Sequence, residues 1–295
     1  MIALAFGMHL IATALVAGVP FFAVVILPRN PVSAASGRKW LDDTLARHIA
    51  IGLGAAAITA LLWLWAAASG MSGQNWIQAT SVIPKVLVAT HFGHVWLVRL
   101  ATMAVLAGLL AVNRLPNSRF PKGDAAALLA LVLLVSLAAT GHAAGDIRGM
   151  LVQGVHLVAA GIWFGGLWAL RLALLSIADT GFAYRVTERF GIIALFAVGV
   201  LAASGVMNAL VHAPHPSMLL GTGYGGFLIG KTVLFAAALI VAAVNRWGFL
   251  PRLAGDSAEV CAHLPLARSI AIEATIVMMI LLLAGFVATT PPPHG

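Results

Sequence analysis

Met150-Leu151-Val152-Gln153-Gly154-Val155-His156-Leu157-Val158-Ala159-Ala160-Gly161-Ile162-Trp163-Phe164-Gly165-Gly166-Leu167-Trp168-Ala169-Leu170 runs for 21 residues without a charged side chain. A helix needs about 20 apolar residues to cross the hydrocarbon of a bilayer. The stretch is therefore predicted to span a membrane, and it carries an imidazole, His156, into the interior. Intramembrane ionisable groups are costly and mark functional positions.

Seven further apolar runs resemble it. They fall at about 2–27, 49–69, 93–112, 124–144, 190–211, 225–244 and 269–289. The whole chain of 295 residues is 61% hydrophobic and 9% charged, with a mean hydropathy of +1.02. A water-soluble domain has about 25% charged residues, so an aqueous fold is excluded. Met1-Ile2-Ala3-Leu4 carries no positive n-region and leads straight into the first run, so this segment is expected to be a span rather than a signal peptide. The single Cys261 excludes an internal disulfide and any CxxC site.

The basic residues sort the loops. Arg29, Arg38, Lys39, Arg47, Arg114, Arg119, Lys122, Arg171, Arg185, Arg189, Arg246, Arg252 and Arg268 follow the odd-numbered spans. Only Lys85, Arg99, Arg148 and Lys231 lie toward the other side. Thirteen against four places the first set in the cytoplasm by the positive-inside rule, with both termini outside. The net charge of +8 is spread singly through short loops, a pattern for topology and lipid rather than for nucleic acid.

The chain also matches itself. Gly7-Met8-His9-Leu10 opens span 1 as Gly154-Val155-His156-Leu157 opens span 5. Ala68-Ser69-Gly70 answers Ala203-Ser204-Gly205. Phe92-Gly93, Arg99 and Asn113-Arg114 answer Tyr224-Gly225, Lys231 and Asn245-Arg246. Arg119 and Asp124 answer Arg268 and Glu273. The expected fold is all-α and integral to the membrane: eight transmembrane helices in two tandem four-helix repeats, residues 1–145 and 146–295. An even number of spans per unit relates the copies by an axis along the membrane normal.

Eight of the ten histidines lie toward the outer side, and outer methionines such as Met8, Met71 and Met207 add soft donors. Imidazole with thioether suits copper better than calcium, magnesium or an iron–sulfur cluster. His142, in Thr140-Gly141-His142-Ala143, and His156 stand on consecutive helices joined by a short connection. They are the principal candidate ligands, with His9 or His94 completing a site open to the outside. His91-Phe92-Gly93-His94 and His212-Ala213-Pro214-His215 are HxxH pairs; the first adds His91 to the candidates, while prolines make the second irregular. Arg99 and Lys231, two turns inside spans 3 and 7, read either as snorkelling cations or as charges that orient an anion or tune the metal. Asp124 suits the start of its helix. Glu273, a turn deeper, reads as an ion-pair partner or an inner gate. No residue is assigned a catalytic role.

These residues carry a resemblance to the copper resistance protein D family (CopD, PcoD) of bacterial inner membranes. It rests on Thr140-Gly141-His142-Ala143, the segment from His156 to Trp163-Phe164-Gly165-Gly166, Tyr224-Gly225 leading to Lys231, Asn245-Arg246, and Glu273 before Pro291-Pro292. It is strong over 140–292 and extends to the first half through the layout of spans. The resemblance implies an inner-membrane protein handling copper between periplasm and cytoplasm, usually in the direction of uptake, beside a periplasmic CopC-like copper-binding protein. No stretch here reads as a fused CopC-like domain, so that partner is expected to be separate. The four-helix unit is also similar to membrane cytochrome b bundles, which makes haem b, held by His142 and His156 or by His9 and His156, the alternative cofactor. A copper-binding assembly factor that does not translocate is a third reading. No GxxxxGK[ST] segment occurs, so transport would be passive or driven by an ion gradient.

Overall fold

The computed structural model describes residues 1–28, 35–113, 124–140, 146–176, 179–212, 219, 221–254 and 263–291, and among them every regular element is helical. The helices are α1 (Ile2–Phe21), α2 (Ala35–Ser72), α3 (Trp76–Ala79), α4 (Ile83–Ala89), α5 (His91–Asn113), α6 (Asp124–Val135), α7 (Ile147–Ser176), α8 (Thr180–His212), α9 (Gly223–Val244) and α10 (His263–Thr289). Seven of the described helices are long and apolar enough to cross a membrane. The fourth expected span, 124–144, appears as a shorter apolar helix, Asp124–Thr140, whose last turn tightens to 3-10 geometry; residues 141–144 lie outside the described ones.

Two helices run well past the apolar stretches that announced them. The expected span 49–69 is part of the 38-residue α2, and 190–211 is part of the 33-residue α8. At 1.5 Å per residue, α2 is about 57 Å long, against a hydrocarbon thickness of about 30 Å. Hydropathy marks where lipid ends, not where intrahelical hydrogen bonds end. Beyond the lipid, polar i,i+4 pairs sustain the helix: Arg38 Nε donates to Asp42 Oδ1 at 3.0 Å, and Tyr184 donates to Glu188 at 3.0 Å.

The helices α1 and α7 form the centre of the bundle. Their most apolar windows are 67% and 72% buried, against 6% for α9. Each packs against the other and against α6 and α10; α1 also packs on α2, and α7 on α8. Lipid provides no hydrophobic drive between helices, so close backbone approach has to supply the packing. At the α1–α7 crossing, a Cβ on Gly18 would lie 2.1 Å from the Gly161 carbonyl oxygen, and one on Gly165 would lie 2.6 Å from the Gly18 Cα. Only glycine fits. Pro20, lacking an N–H, breaks the α-helical ladder of α1, and the helix continues as a π-helical turn, Phe22–Ile26. A second π-helical turn, Asn245–Phe249, extends α9.

Candidate metal centre: two histidines of unequal chemistry

His9 is fully buried on α1, and its ring reaches two neighbouring helices. Nδ1 lies 3.1 Å from the Ala56 carbonyl of α2 and 3.2 Å from the Thr59 hydroxyl. A carbonyl oxygen only accepts, so Nδ1 carries the proton and Nε2 presents its lone pair. That lone pair meets Arg99 of α5, whose Nη2 lies 2.5 Å away. The other arm of the guanidinium, Nη1, donates to the Leu133 carbonyl at 2.6 Å and the Ser136 hydroxyl at 2.5 Å, both from the α6 span. Trp96 lies beneath it, 5.6 Å from ring centroid to Cζ, and Trp63 and Trp96 flank His9 at 5.8 and 5.6 Å. One imidazole and one guanidinium thus tie α1, α2, α5 and α6 together. Arg99 is 0% exposed and does not snorkel.

His156 stands nine residues before Gly165, as His9 stands nine before Gly18. It is half-buried on α7, and its Nδ1 lies 2.8 Å from the Ser204 hydroxyl of α8. Ser204 spends its own proton on the Val200 carbonyl at 2.5 Å, so it accepts from the imidazole. Nδ1 is therefore again the protonated nitrogen. Among the described residues Nε2 has no hydrogen bond, and Lys231 of α9 lies within electrostatic reach without bonding to the ring. A neutral imidazole with one nitrogen anchored and the other lone pair open has the form of a metal-ligating histidine. One turn along, Asn208 donates to Gln153 at 2.9 Å and closes the α7–α8 seam beside it.

The remaining candidates are dispersed. His91 Nε2 donates to the Ala139 carbonyl at 3.0 Å, at the end of the α6 span, and His94 Nε2 donates to Val88 at 3.0 Å; both side chains are exposed. This HxxH pair diverges rather than sharing one point. His142 and His215 lie outside the described residues, as does the side chain of His212. Among the described residues, no group of three or more His, Cys, Asp or Glu is placed to hold a metal ion. His48 and His263 lie elsewhere, the first bonded to the Thr44 carbonyl at 2.8 Å.

Glu273 of α10 is buried, and its two oxygens are taken separately. Trp163 Nε1 of α7 donates to Oε1 at 3.0 Å, and Asn245 Nδ2 donates to Oε2 at 2.7 Å. Among the described residues the one ion pair is Arg38–Asp42, so Arg268 does not pair with Glu273.

Sequence reasoning missed Thr59, Ser136 and Trp96 and misplaced one correspondence. Ser69 does not answer Ser204: it donates to the Gln74 carbonyl at 2.7 Å. The hydroxyl that meets His9 as Ser204 meets His156 is Thr59, and each stands five residues after a glycine, Gly54 and Gly199. That spacing was the available signal. The starts of α5 and α9 agree more closely. Thr90 and Thr222 each accept from the backbone of the glycine three residues on, Gly93 and Gly225, at 2.9 and 3.0 Å.

Two family descriptions match the chain: "Copper resistance protein D-like, N-terminal domain" over residues 1–151 and "Copper resistance protein D" over residues 184–287. The chain is 31% identical over 210 residues to the copper transport protein CutJ of Bacillus subtilis (strain 168), covering 68% of this chain and 39% of that protein. It is 29% identical over 200 residues to the inner membrane protein YebZ of Escherichia coli (strain K12), covering 63% of this chain and 65% of that protein. It is 30% identical over 197 residues to copper resistance protein D of Pseudomonas syringae pv. tomato, covering 62% and 63%. The match therefore spans about two fifths of CutJ and just under two thirds of the other two. No solved structure matches. Family descriptions covering most of its length, over a bundle of long apolar helices, place this chain in the copper resistance protein D family of membrane proteins.

Proposed function

We propose that this protein carries copper inward across the bacterial inner membrane, receiving it at an outer-facing site centred on His156. The observation that supports this reading is the state of one atom. His156 Nε2 keeps an open lone pair because Ser204 holds the Nδ1 proton, whereas the same atom of His9 is occupied by Arg99. His142 is the proposed second ligand, with His94 or His91, both exposed at the start of α5, completing the shell. His9 enters only if Arg99 swings away. The names of the relatives speak of copper transport, copper resistance and an inner membrane, which agrees with transport rather than catalysis. A separate CopC-like periplasmic protein is the proposed donor of the metal.

The architecture proposed for this task is eight spans in two repeats, 1–145 and 146–295, with both termini outside. Three correspondences support the duplication: the Thr–Gly caps of α5 and α9, the hydroxyl on each histidine, and the self-paired glycines. Gly18 meets Gly161 and Gly165, while Gly165 meets Ala14 and Gly18, so each half offers the other the same surface.

Little favours haem. Both nitrogens of His9 are engaged, and an apolar groove of about 470 Å³ between α2 and α5 is lined by residues such as Leu53, Gly54, Ala57 and Met103, with no histidine. Metal analysis and an absorption spectrum of the protein purified in detergent decide between the readings. Bound copper without a Soret band is expected; a stoichiometric Soret band overturns the proposal.

A further inference from the structure

Glu273 is 3% exposed, near the middle of α10 and about 15 Å along the helix from His263. A carboxylate so placed needs a cation or a strong set of donors. The elements packed on α10 are α1, α7, α9 and the π-helical turn after α9. Their ionisable groups are His9; Arg148, His156 and Arg171; Tyr224 and Lys231; and Arg246. His263 and Arg268 lie on α10 itself. None forms an ion pair or hydrogen bond with Glu273. Its partners are two neutral N–H groups, one on each oxygen. A metal cation is a poor occupant, because each oxygen already faces a hydrogen.

The two partners differ in what they can do. The Trp163 indole only donates, so it holds Oε1 as an acceptor whether or not the acid is protonated. Any proton must therefore sit on Oε2. There the neighbour is Asn245, whose amide donates to a carboxylate through Nδ2 or accepts from a carboxylic acid through Oδ1. Asn245 Oδ1 is at present buried without a hydrogen-bond partner. Asn245 also opens the π-helical turn, a widened geometry found often at functional positions.

We infer that Glu273 is a proton-binding site inside the membrane, its charged and neutral forms matched in turn by the two ends of the Asn245 amide. In the step, an Oε2 lone pair takes one proton from hydronium, whose O–H bond breaks to leave water, an O–H bond forms on Oε2, and the carboxylate charge is lost. The half-turned amide then accepts that O–H, and the reverse motion releases the proton. On the transport reading above, and resting on it, this makes the proton the coupling ion for copper.

The protonation is tested without copper, by infrared titration of the reconstituted full chain labelled with carbon-13 glutamate. The chain has only three glutamates, Glu188, Glu259 and Glu273. The glutamate-derived carboxylic C=O band should grow reversibly as pH falls, and Glu273→Gln should lack the Glu273 component, keeping only that of Glu188 and Glu259. Asn245→Ala removes a donor that favours the charged form, so the band's midpoint should rise by about one pH unit, the scale of one hydrogen bond to a charged group; this arm stands if Glu273→Gln misfolds. A parent band with no component beyond that of Glu273→Gln, or a band unchanged in both variants, overturns the site. Coupling is read separately in proteoliposomes carrying a trapped pH dye: added copper should drive proton flux in the parent and none in Glu273→Gln. Copper moving without protons overturns coupling alone, and copper failing to move at all overturns the transport reading while the infrared result stands.

Discussion

Arg99 Nη2 lies 2.5 Å from His9 Nε2, and among the described residues no carboxylate shares that guanidinium. The cation is stabilised only by neutral acceptors, of which His9 is the one from α1. Removing the imidazole leaves a buried N–H of a charged group without a partner, at a cost of about 1.5–3 kcal/mol. His9→Ala should therefore lower the melting temperature of the purified protein while folded molecules still bind copper. Replacing the arginine as well, in His9→Ala/Arg99→Met, should cost less than the two single changes added together, because the orphaned charge is gone. If His9→Ala melts like the parent but loses copper, His9 is a ligand and the ranking of the two histidines reverses.

The Gly18–Gly165 crossing gives a sharper structural test. A Cβ on Gly165 would stand 2.6 Å from the Gly18 Cα and 2.9 Å from the Ala14 carbonyl oxygen, and backbone cannot yield as a side chain can. Gly165→Ala should cost about 1–3 kcal/mol, the usual scale of overpacking, and Gly165→Leu should fail to give a monodisperse protein. Gly199→Ala is the control: an added Cβ there meets nothing within 4 Å, and alanine favours helix by up to about 1 kcal/mol. Equal behaviour of Gly165→Ala and Gly199→Ala on size exclusion and thermal melting would remove the crossing from the centre of the bundle.

The long apolar helices were legible because lipid imposes a composition on any helix that crosses it, as in 150–170. That His156, Arg99 and Glu273 need polar partners was legible because an ionisable group in such a stretch is costly to leave alone. Their partners were not. Trp163 lies 110 positions from Glu273, and Arg99 lies 90 from His9; contacts across that distance leave no local periodicity. Snorkelling was the simpler expectation for Arg99, because nothing near it in the chain shows that α6 turns two acceptors toward it. The full reach of α2 was hidden for the opposite reason: its N-terminal turns are polar, and polar residues announce a loop as readily as a solvated helix.

Orientation is tested through the one native thiol. Cys261 lies outside the described residues, between α9 and α10, in a stretch bracketed by Arg252 and Arg268. The basic flanks assign it to the cytoplasm. A membrane-impermeant maleimide should label it after cells are broken and leave it unlabelled in intact spheroplasts. Labelling from outside would invert the bundle and turn the His156 face toward the cytoplasm.

The last test separates a ligand from the group that aims it. His156→Ala removes the open Nε2 and should weaken copper binding by at least about tenfold. Ser204→Ala keeps the ligand but frees the ring to turn and to exchange its proton between nitrogens, a disturbance of the kind that costs about 10–100-fold in metal sites. The two should differ spectroscopically. Ser204→Ala saturated with copper should restore the parent's absorption and electron paramagnetic signature, whereas saturated His156→Ala should not, having one nitrogen fewer. His263→Ala, on the opposite end of the bundle by the basic-residue count, should bind as the parent does. Monodispersity has to be checked in each variant, since the His156–Ser204 bond also joins α7 to α8. If His156→Ala folds and binds copper with the parent's affinity and signature, the site is elsewhere, and His212 and His215 are the next residues to replace.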